Sequence, residues 1–263
     1  MKRKILILLL ISSQLIFAKK ILSITIPKGG THLLAETMMH ITGKKPQSIG
    51  LNVAVQEIDD ALNSLASDRF IQNHLYYSGE KNNLLEKHDV VVFLMIRDPR
   101  DEIISNTYYT REFYLGPWEY TKGLTFDENI MELIVGGSGY KKIIPHANNI
   151  DAVYRSFIPW LNNPRVCCIR FEDLVGARGG GSDQKQYECI KKIAEHLDIN
   201  LSDDQINCFM PKIFGKNTAG MSTFRSGKIG AWKTHFNKEH IKAFKDVAGQ
   251  LLIDLGYEES FDW

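Results

Sequence analysis

The sequence predicts an α/β fold, a doubly wound and mainly parallel sheet flanked by helices. Three observations carry that expectation. The runs Ile21–Ile26 and Val90–Ile96 are apolar almost without interruption, as strands are when helices cover both faces of a sheet. Longer segments with helical spacing alternate with such runs along the chain. Both apolar runs end in loop chemistry, Pro27-Lys28-Gly29-Gly30-Thr31 and Arg97-Asp98-Pro99, with a helical pattern directly behind. In open α/β sheets ligands bind at these carboxyl ends of strands.

Taken in order, Lys2-Arg3-Lys4, the apolar run Ile5–Ile11 and Leu15-Ile16-Phe17-Ala18 resemble a secretory signal peptide over residues 1–18. The run is short for a membrane span, which takes about 20 apolar residues. The alternative is an N-terminal amphipathic or buried segment of the folded domain. With the leader, the expectation is an exported or secretory-lumen protein; without it, a cytoplasmic one. Residues 19–263 then form a single domain. Its strands are Ile21–Ile26, Val90–Ile96 and the weaker Phe70–Gln72 and Arg165–Phe171. Helical spacing fits Gly30–Ile41, Gln56–Ser67, Pro99–Phe113, Asn129–Val135, Ala147–Leu161, Gln184–His196, Ser202–Phe209 and Lys238–Leu255. Gly176–Gly181 reads as a flexible surface loop.

Bulk properties exclude some classes. At 44% hydrophobic and 24% charged, the chain can bury an ordinary core. Lys+Arg 32 against Asp+Glu 31 leaves a net charge of +1, so no basic field argues for a nucleic-acid partner. The four cysteines lack metal-ligand spacing. Cys167 and Cys168 are expected on opposite faces of a strand, and a Cys189–Cys208 disulfide is conceivable but not inferable.

Three stretches carry chemistry. In the first, Gly29 and Gly30 let the backbone approach an anion, Thr31 adds a hydroxyl, and the next helix adds its positive end. Lys28 adds a full charge. The plain alternative is a strand-to-helix turn with a solvated lysine. In the second, a buried strand delivers Arg97, Asp98 caps the following helix, Pro99 suits its first turn, and Ser105 lies about two turns in. A guanidinium beside a hydroxyl can hold one phosphate from two sides. The alternative pairs Arg97 with Asp98, Asp101 or a distant acid. In the third, Arg225-Ser226-Gly227 offers charge, hydroxyl and free N–H together, or else is a solvated loop anchored by Trp232.

Together and in this order, these stretches resemble the PAPS-dependent sulfotransferase family. Pro27–Thr31 is similar to its 5'-phosphosulfate loop Pro-Lys-Ser-Gly-Thr, and Arg97–Ser105 matches the spacing of its 3'-phosphate motif. Phe224–Phe236 is similar to its late Arg-Lys-Gly-x-x-Gly-x-Trp-Lys motif, Ile169–Leu174 to its Tyr-Glu-Asp-Leu, and Phe70–Tyr77 to the strand bearing its catalytic histidine. The resemblance runs from about residue 21 to the C-terminus. It implies a P-loop-like sulfotransferase fold, PAPS as sulfonate donor, and no metal in the transfer step. It implies Lys28 and His74 as catalytic groups, the latter as base. It implies a cofactor site of Lys28, Gly29, Gly30, Thr31, His32, Arg97, Ser105, Phe171, Arg225, Ser226 and Gly227. The partner implied is a small-molecule or carbohydrate acceptor.

Departures from the family pattern are explicit. Gly29 replaces a serine. His32-Leu33 replace Thr-Trp, removing the adenine-stacking aromatic there. Gln72 replaces a lysine, Phe171 a tyrosine and Ser226 a lysine. Fewer cationic contacts keep a catalytically decayed binding protein as one alternative. A P-loop nucleotide or nucleoside kinase is the other, although its Gly-Lys-Ser/Thr signature is missing. The aromatic stretch Tyr108–Tyr120 either lines an acceptor pocket or packs a helix end on the core.

Overall fold

A computed structural model describes residues 19–50, 53–112, 123–136, 149–215 and 224–263. The expected leader and residues 113–120 of the aromatic stretch lie outside the described residues. Five strands form one parallel sheet: β1 Ile21–Thr25, β2 Lys45–Ser48, β3 Arg69–Asn73, β4 Val91–Ile96 and β5 Val166–Arg170. Their order across the sheet is β2-β3-β1-β4-β5. The expected parallel, doubly wound sheet is thus present.

Side-chain alternation explains why the central strands are apolar on both faces, with Ser23 and Thr25 the polar exceptions in β1. Leu22, Ile24, Val92, Leu94 and Ile96 enter one core, while Ile21, Phe93 and Met95 enter the other. Cys167 and Cys168 likewise divide between the two faces, and all four cysteines are free thiols. The first core is completed by helices α2 Val55–Asn63, α3 Gly79–Lys87, α4 Pro99–Glu112, α5 Phe126–Val135, α6 Ile150–Arg155 and α10 Lys238–Asp254. The second is completed by α1 Thr31–Thr42, the short α7 Phe171–Leu174, α8 Asp183–His196 and α9 Asp203–Ile213.

Some elements differ from expectation for identifiable reasons. β2 reads Lys-Pro-Gln-Ser, without an apolar pattern, and Pro46 is tolerated because the strand lies at the sheet edge. α3 is polar in sequence and is started by Ser78, whose Oγ accepts from the Lys81 N–H at 3.2 Å. The helix expected over Ala147–Leu161 is α6 followed by a separate 3₁₀ turn, Ile158–Asn162, with Pro159 near its start. Gly176–Gly181 is a packed turn rather than a flexible loop. The Gly181 N–H donates to Gly176 O at 2.9 Å, and the Ile229 N–H donates to Gly179 O at 2.9 Å. A Cβ on Gly179 would sit 2.2 Å from Val175 and 2.8 Å from the Gly227 carbonyl. Only glycine lets these two loops meet.

Strand register positions the site. Ile24 lies opposite Asn73, Thr25 opposite Met95, and Ile96 opposite Arg170. The chain leaving β1, β3, β4 and β5 therefore emerges along one edge, bringing Lys28, His74, Arg97 and Phe171 into one neighbourhood. Among the described residues, no helix is long and apolar enough to cross a membrane.

Candidate active site

The loop after β1 turns tightly, with the Gly29 N–H donating to Ile26 O at 2.9 Å. Lys28 and Gly30 both adopt left-handed backbone, at φ 59° and 111°. A Cβ on Gly30 would lie 2.7 Å from the Phe171 ring and 3.0 Å from Met95, so position 30 requires glycine for space as well as conformation. Gly30 precedes α1 and no side chain caps the helix. Its first N–H groups are left to the loop, as an anion site needs.

Lys28 is half-buried and its ammonium lies 4.0 Å above the Tyr109 ring. Burial pulls its pKa from 10.5 to about 8; Glu102 opposes the fall, Arg97 adds to it, and Glu112 opposes it again. His74 is half-buried too. Its Nδ1 lies 2.7 Å from the Thr25 carbonyl oxygen. A carbonyl can only accept, so Nδ1 donates and Nε2 keeps its lone pair. Burial holds the His74 pKa below 6.5, against the pull of that hydrogen bond, and the nearby Lys28 and His32 act in the same direction as burial. His32 is lowered by burial and then by Lys28.

Arg97 joins this loop to the late one. Its Nη2 donates to Lys228 O at 2.9 Å and its Nη1 to Lys28 O at 3.4 Å. Its guanidinium stands 4.2 Å over the Phe171 ring, and its Nε is buried with no hydrogen-bond partner among the described residues. Asp98 does not pair with it. Asp98 instead caps α4 through the Arg100 N–H at 2.9 Å and binds the Arg100 guanidinium at 2.7 Å. Asp101 is 3.9 Å from Arg97, and its oxygens accept from the N–H groups of Gly230 at 2.7 Å and Trp232 at 3.0 Å. Arg225 lies 4.0 Å over the Tyr108 ring. Its pKa is lowered by partial burial, and the positive charge of Arg97 adds to that shift. The two guanidinium groups therefore feel each other.

A second layer holds these groups in place. The Arg100 guanidinium lies 4.0 and 4.5 Å from the ring centres of Trp232 and Trp263, which meet each other edge-on, and bonds Glu258 at 2.6 Å. Glu172 accepts from the Asp98 N–H at 2.9 Å and from the Tyr257 hydroxyl at 3.2 Å. The Tyr154 hydroxyl donates to Arg97 O at 2.8 Å.

A sulfotransferase domain model matches residues 18–256. The chain belongs to the sulfotransferase domain family. It is 20% identical over 207 residues to sulfotransferase 6B1 of Danio rerio, covering 72% of this chain but only 61% of that protein. It is 23% identical over 255 residues to sulfotransferase 6B1 of Mus musculus, covering 88% of this chain and 78% of the relative. Its fold is similar to that of mouse sulfotransferase SULT7A1, solved in complex with PAP, with a TM-score of 0.67 at 18% identity over 89% of this chain and 84% of that one.

Within this sulfotransferase domain the expected residues fall into two groups. Lys28, Gly29, Gly30, Thr31, His32 and His74 surround the first loop, while Arg97, Arg225, Ser226 and Gly227 lie around the late loop, bridged by Arg97. Ser105 sits one turn beyond Asp101 on α4 and is half-buried. Phe171 is buried, and its link to the site runs through Arg97 and Gly30. Leu33 points into the core. Gln72 keeps a buried Oε1 without a partner. Sequence reasoning gave no role to Thr25, Arg100 or Tyr154, named Asp101 only as an alternative partner of Arg97, and named Glu172 only within the Ile169–Leu174 motif. Thr25, immediately before the loop, was the nearest to visible. Among the described residues, no three His, Cys, Asp or Glu side chains cluster to hold a metal.

Proposed function

We propose that the chain transfers a sulfonate group from PAPS to a hydroxyl or amine of a small-molecule or carbohydrate acceptor by in-line displacement. The observation that carries this reading is the bridge made by Arg97, which donates to the Lys28 and Lys228 carbonyls and so ties the loop after β1 to the late loop, one proposed anion grip on each. A ligand with two phosphate ends fits that arrangement better than one continuous polyphosphate. The residues fit such a ligand on two counts. Arg97 Nε is buried and lacks a partner among the described residues, and the start of α1 has no side-chain cap. The PAP bound to the mouse neighbour supports the same choice.

When bound, PAPS supplies an activated sulfonate on a good leaving group. The N–H groups of Gly29 to His32 and the Thr31 hydroxyl hold the 5'-phosphate end. Arg97, Ser105, Arg225, Ser226 and the Gly227 N–H hold the 3'-phosphate. Lys28 places its ammonium where negative charge grows on the leaving oxygen, in a half-buried setting that strengthens the attraction. His74 takes the acceptor proton on Nε2, because Nδ1 is committed to Thr25. Tyr108 and Tyr109 stack beneath Arg225 and Lys28, which favours an aromatic or sugar-ring acceptor at this side. The N-terminal leader would route the protein to a secretory lumen, which N-terminal sequencing of the mature chain tests.

The direct assay is transfer of radiolabelled sulfonate from PAPS to an acceptor panel. Turnover by the native chain and its loss in His74→Ala are expected. No transfer to any acceptor, with bisphosphate binding intact, would mark a decayed site and refute the enzymatic reading.

A further inference from the structure

Thr25 is fully buried at the end of β1 and makes contacts that no role above requires. Its Oγ1 lies 2.8 Å from Thr31 Oγ1 and 3.2 Å from His74 Nδ1, while its carbonyl takes the same nitrogen at 2.7 Å. One of these directions follows by elimination. The carbonyl only accepts, so Nδ1 carries the proton. Thr25 Oγ1 therefore turns a lone pair toward Nδ1–H, while either hydroxyl can donate in the Thr25–Thr31 bond. With Thr25 as that donor, the Thr31 O–H is free to donate elsewhere, and Thr31 is the first residue of α1 in the anion loop.

We propose that Thr25 is a positioning residue, the middle member of a one-way hydroxyl chain running from His74 through Thr25 and Thr31 to the anion bound by the loop. The proposal rests on the sulfotransferase reading. A hydroxyl whose proton is engaged becomes a better acceptor. A 5'-phosphate accepting from Thr31 thereby strengthens the acceptors at Nδ1 and favours the imidazolium that His74 becomes during transfer. In that step the acceptor oxygen or nitrogen bonds to sulfur, the sulfur–oxygen bond to the leaving phosphate breaks with its electron pair, and the acceptor proton moves to Nε2. The chain itself transfers no proton. Lys28, and His32 when protonated, face His74 and oppose the imidazolium, and Thr25 offsets them. By linkage, protonated His74 binds the anion more tightly in return.

The test is an NMR titration of ¹⁵N-histidine-labelled full chain, with and without adenosine 3',5'-bisphosphate, for the native protein, Thr25→Val and Thr25→Ser. Native His74 should be the Nδ1–H tautomer, and bisphosphate should raise its titration midpoint. That rise should shrink in Thr25→Val and return in Thr25→Ser. Turnover should fall about 2- to 10-fold in the valine variant, the effect of one lost hydrogen bond, with acceptor KM unchanged and recovery in the serine variant. Should Thr25→Val fail to fold, Thr31→Ala breaks the chain from its other end and should shrink the rise likewise. An equal rise in native and broken-chain proteins overturns the relay and leaves the sulfotransferase reading standing. Failure of the native chain to bind bisphosphate overturns both.

Discussion

The two proposed anion grips are built from different materials. The first is mostly backbone, a left-handed turn over Lys28 and Gly30 that feeds the open start of α1. The second is mostly side chains, with Arg97 and Arg225 presented by the end of β4 and the late loop and steadied by Asp101, Arg100 and two tryptophans. A backbone cradle is stiff and tolerates little change in residue type. A side-chain grip is adjustable but needs a supporting layer. Departures from the family pattern fall on both, Gly29 and His32-Leu33 at the first and Ser226 at the second. The first loop keeps its lysine and second glycine, while the lysine of the late motif has become Ser226, next to a guanidinium that remains.

The largest effect separates chemistry from binding. His74→Ala should lower turnover by about 10²–10⁴-fold, the range of general-base catalysis, while calorimetry shows bisphosphate affinity nearly unchanged. A collapse of affinity instead would remove His74 from the role of base. Next comes Arg97→Met, which strips the second grip. Losing a charge-assisted bond worth about 1.5–3 kcal/mol should weaken adenosine 3',5'-bisphosphate roughly 10- to 150-fold and leave adenosine 5'-monophosphate almost unaffected. Equal losses for both ligands would mean the two grips are not separate.

Gly30→Ala attacks the cradle itself. The added methyl meets Phe171 at 2.7 Å on a backbone at φ 111°, a strain of about 1–3 kcal/mol. A lowered Tm and weaker binding of both nucleotides are expected, and an unchanged Tm would show that the loop relaxes freely. The smallest effect is on pH. Because Lys28 titrates at about 8, its charge disappears as pH rises through that value, and bisphosphate affinity measured from pH 7 to 9.5 should fall several-fold. Between about 8 and 10.5 the folded chain holds fewer protons at this group than the unfolded one, so its contribution to stability rises across that window. A flat affinity profile would place the ammonium outside the anion site.

The central sheet is readable in the sequence because β1 and β4 are buried on both faces, and strands covered on both faces are apolar at nearly every position, Ser23 and Thr25 being the exceptions. β2 and α3 are hidden because their polar residues sit at an edge or surface, where packing rather than pattern decides. At the site, Lys28, Arg97 and Arg225 were legible because charge and glycine at strand ends are unusual. Asp101 and Glu172 were not, because each acts on backbone N–H groups far along the chain, from Gly230, Trp232 and Asp98. The packed turn at Gly176–Gly181 escapes a sequence reading for the same reason: its glycines answer to a neighbouring loop, not to a local need for flexibility.

The central claim is that one pocket holds a nucleotide by two phosphate ends. Calorimetric titration of the full chain with adenosine 3',5'-bisphosphate, adenosine 5'-monophosphate and ATP–Mg tests it most directly. The account predicts that the bisphosphate binds at least about tenfold more tightly than the other two, the margin of one charged contact. Equal affinity for bisphosphate and monophosphate, or preference for ATP–Mg, would contradict it.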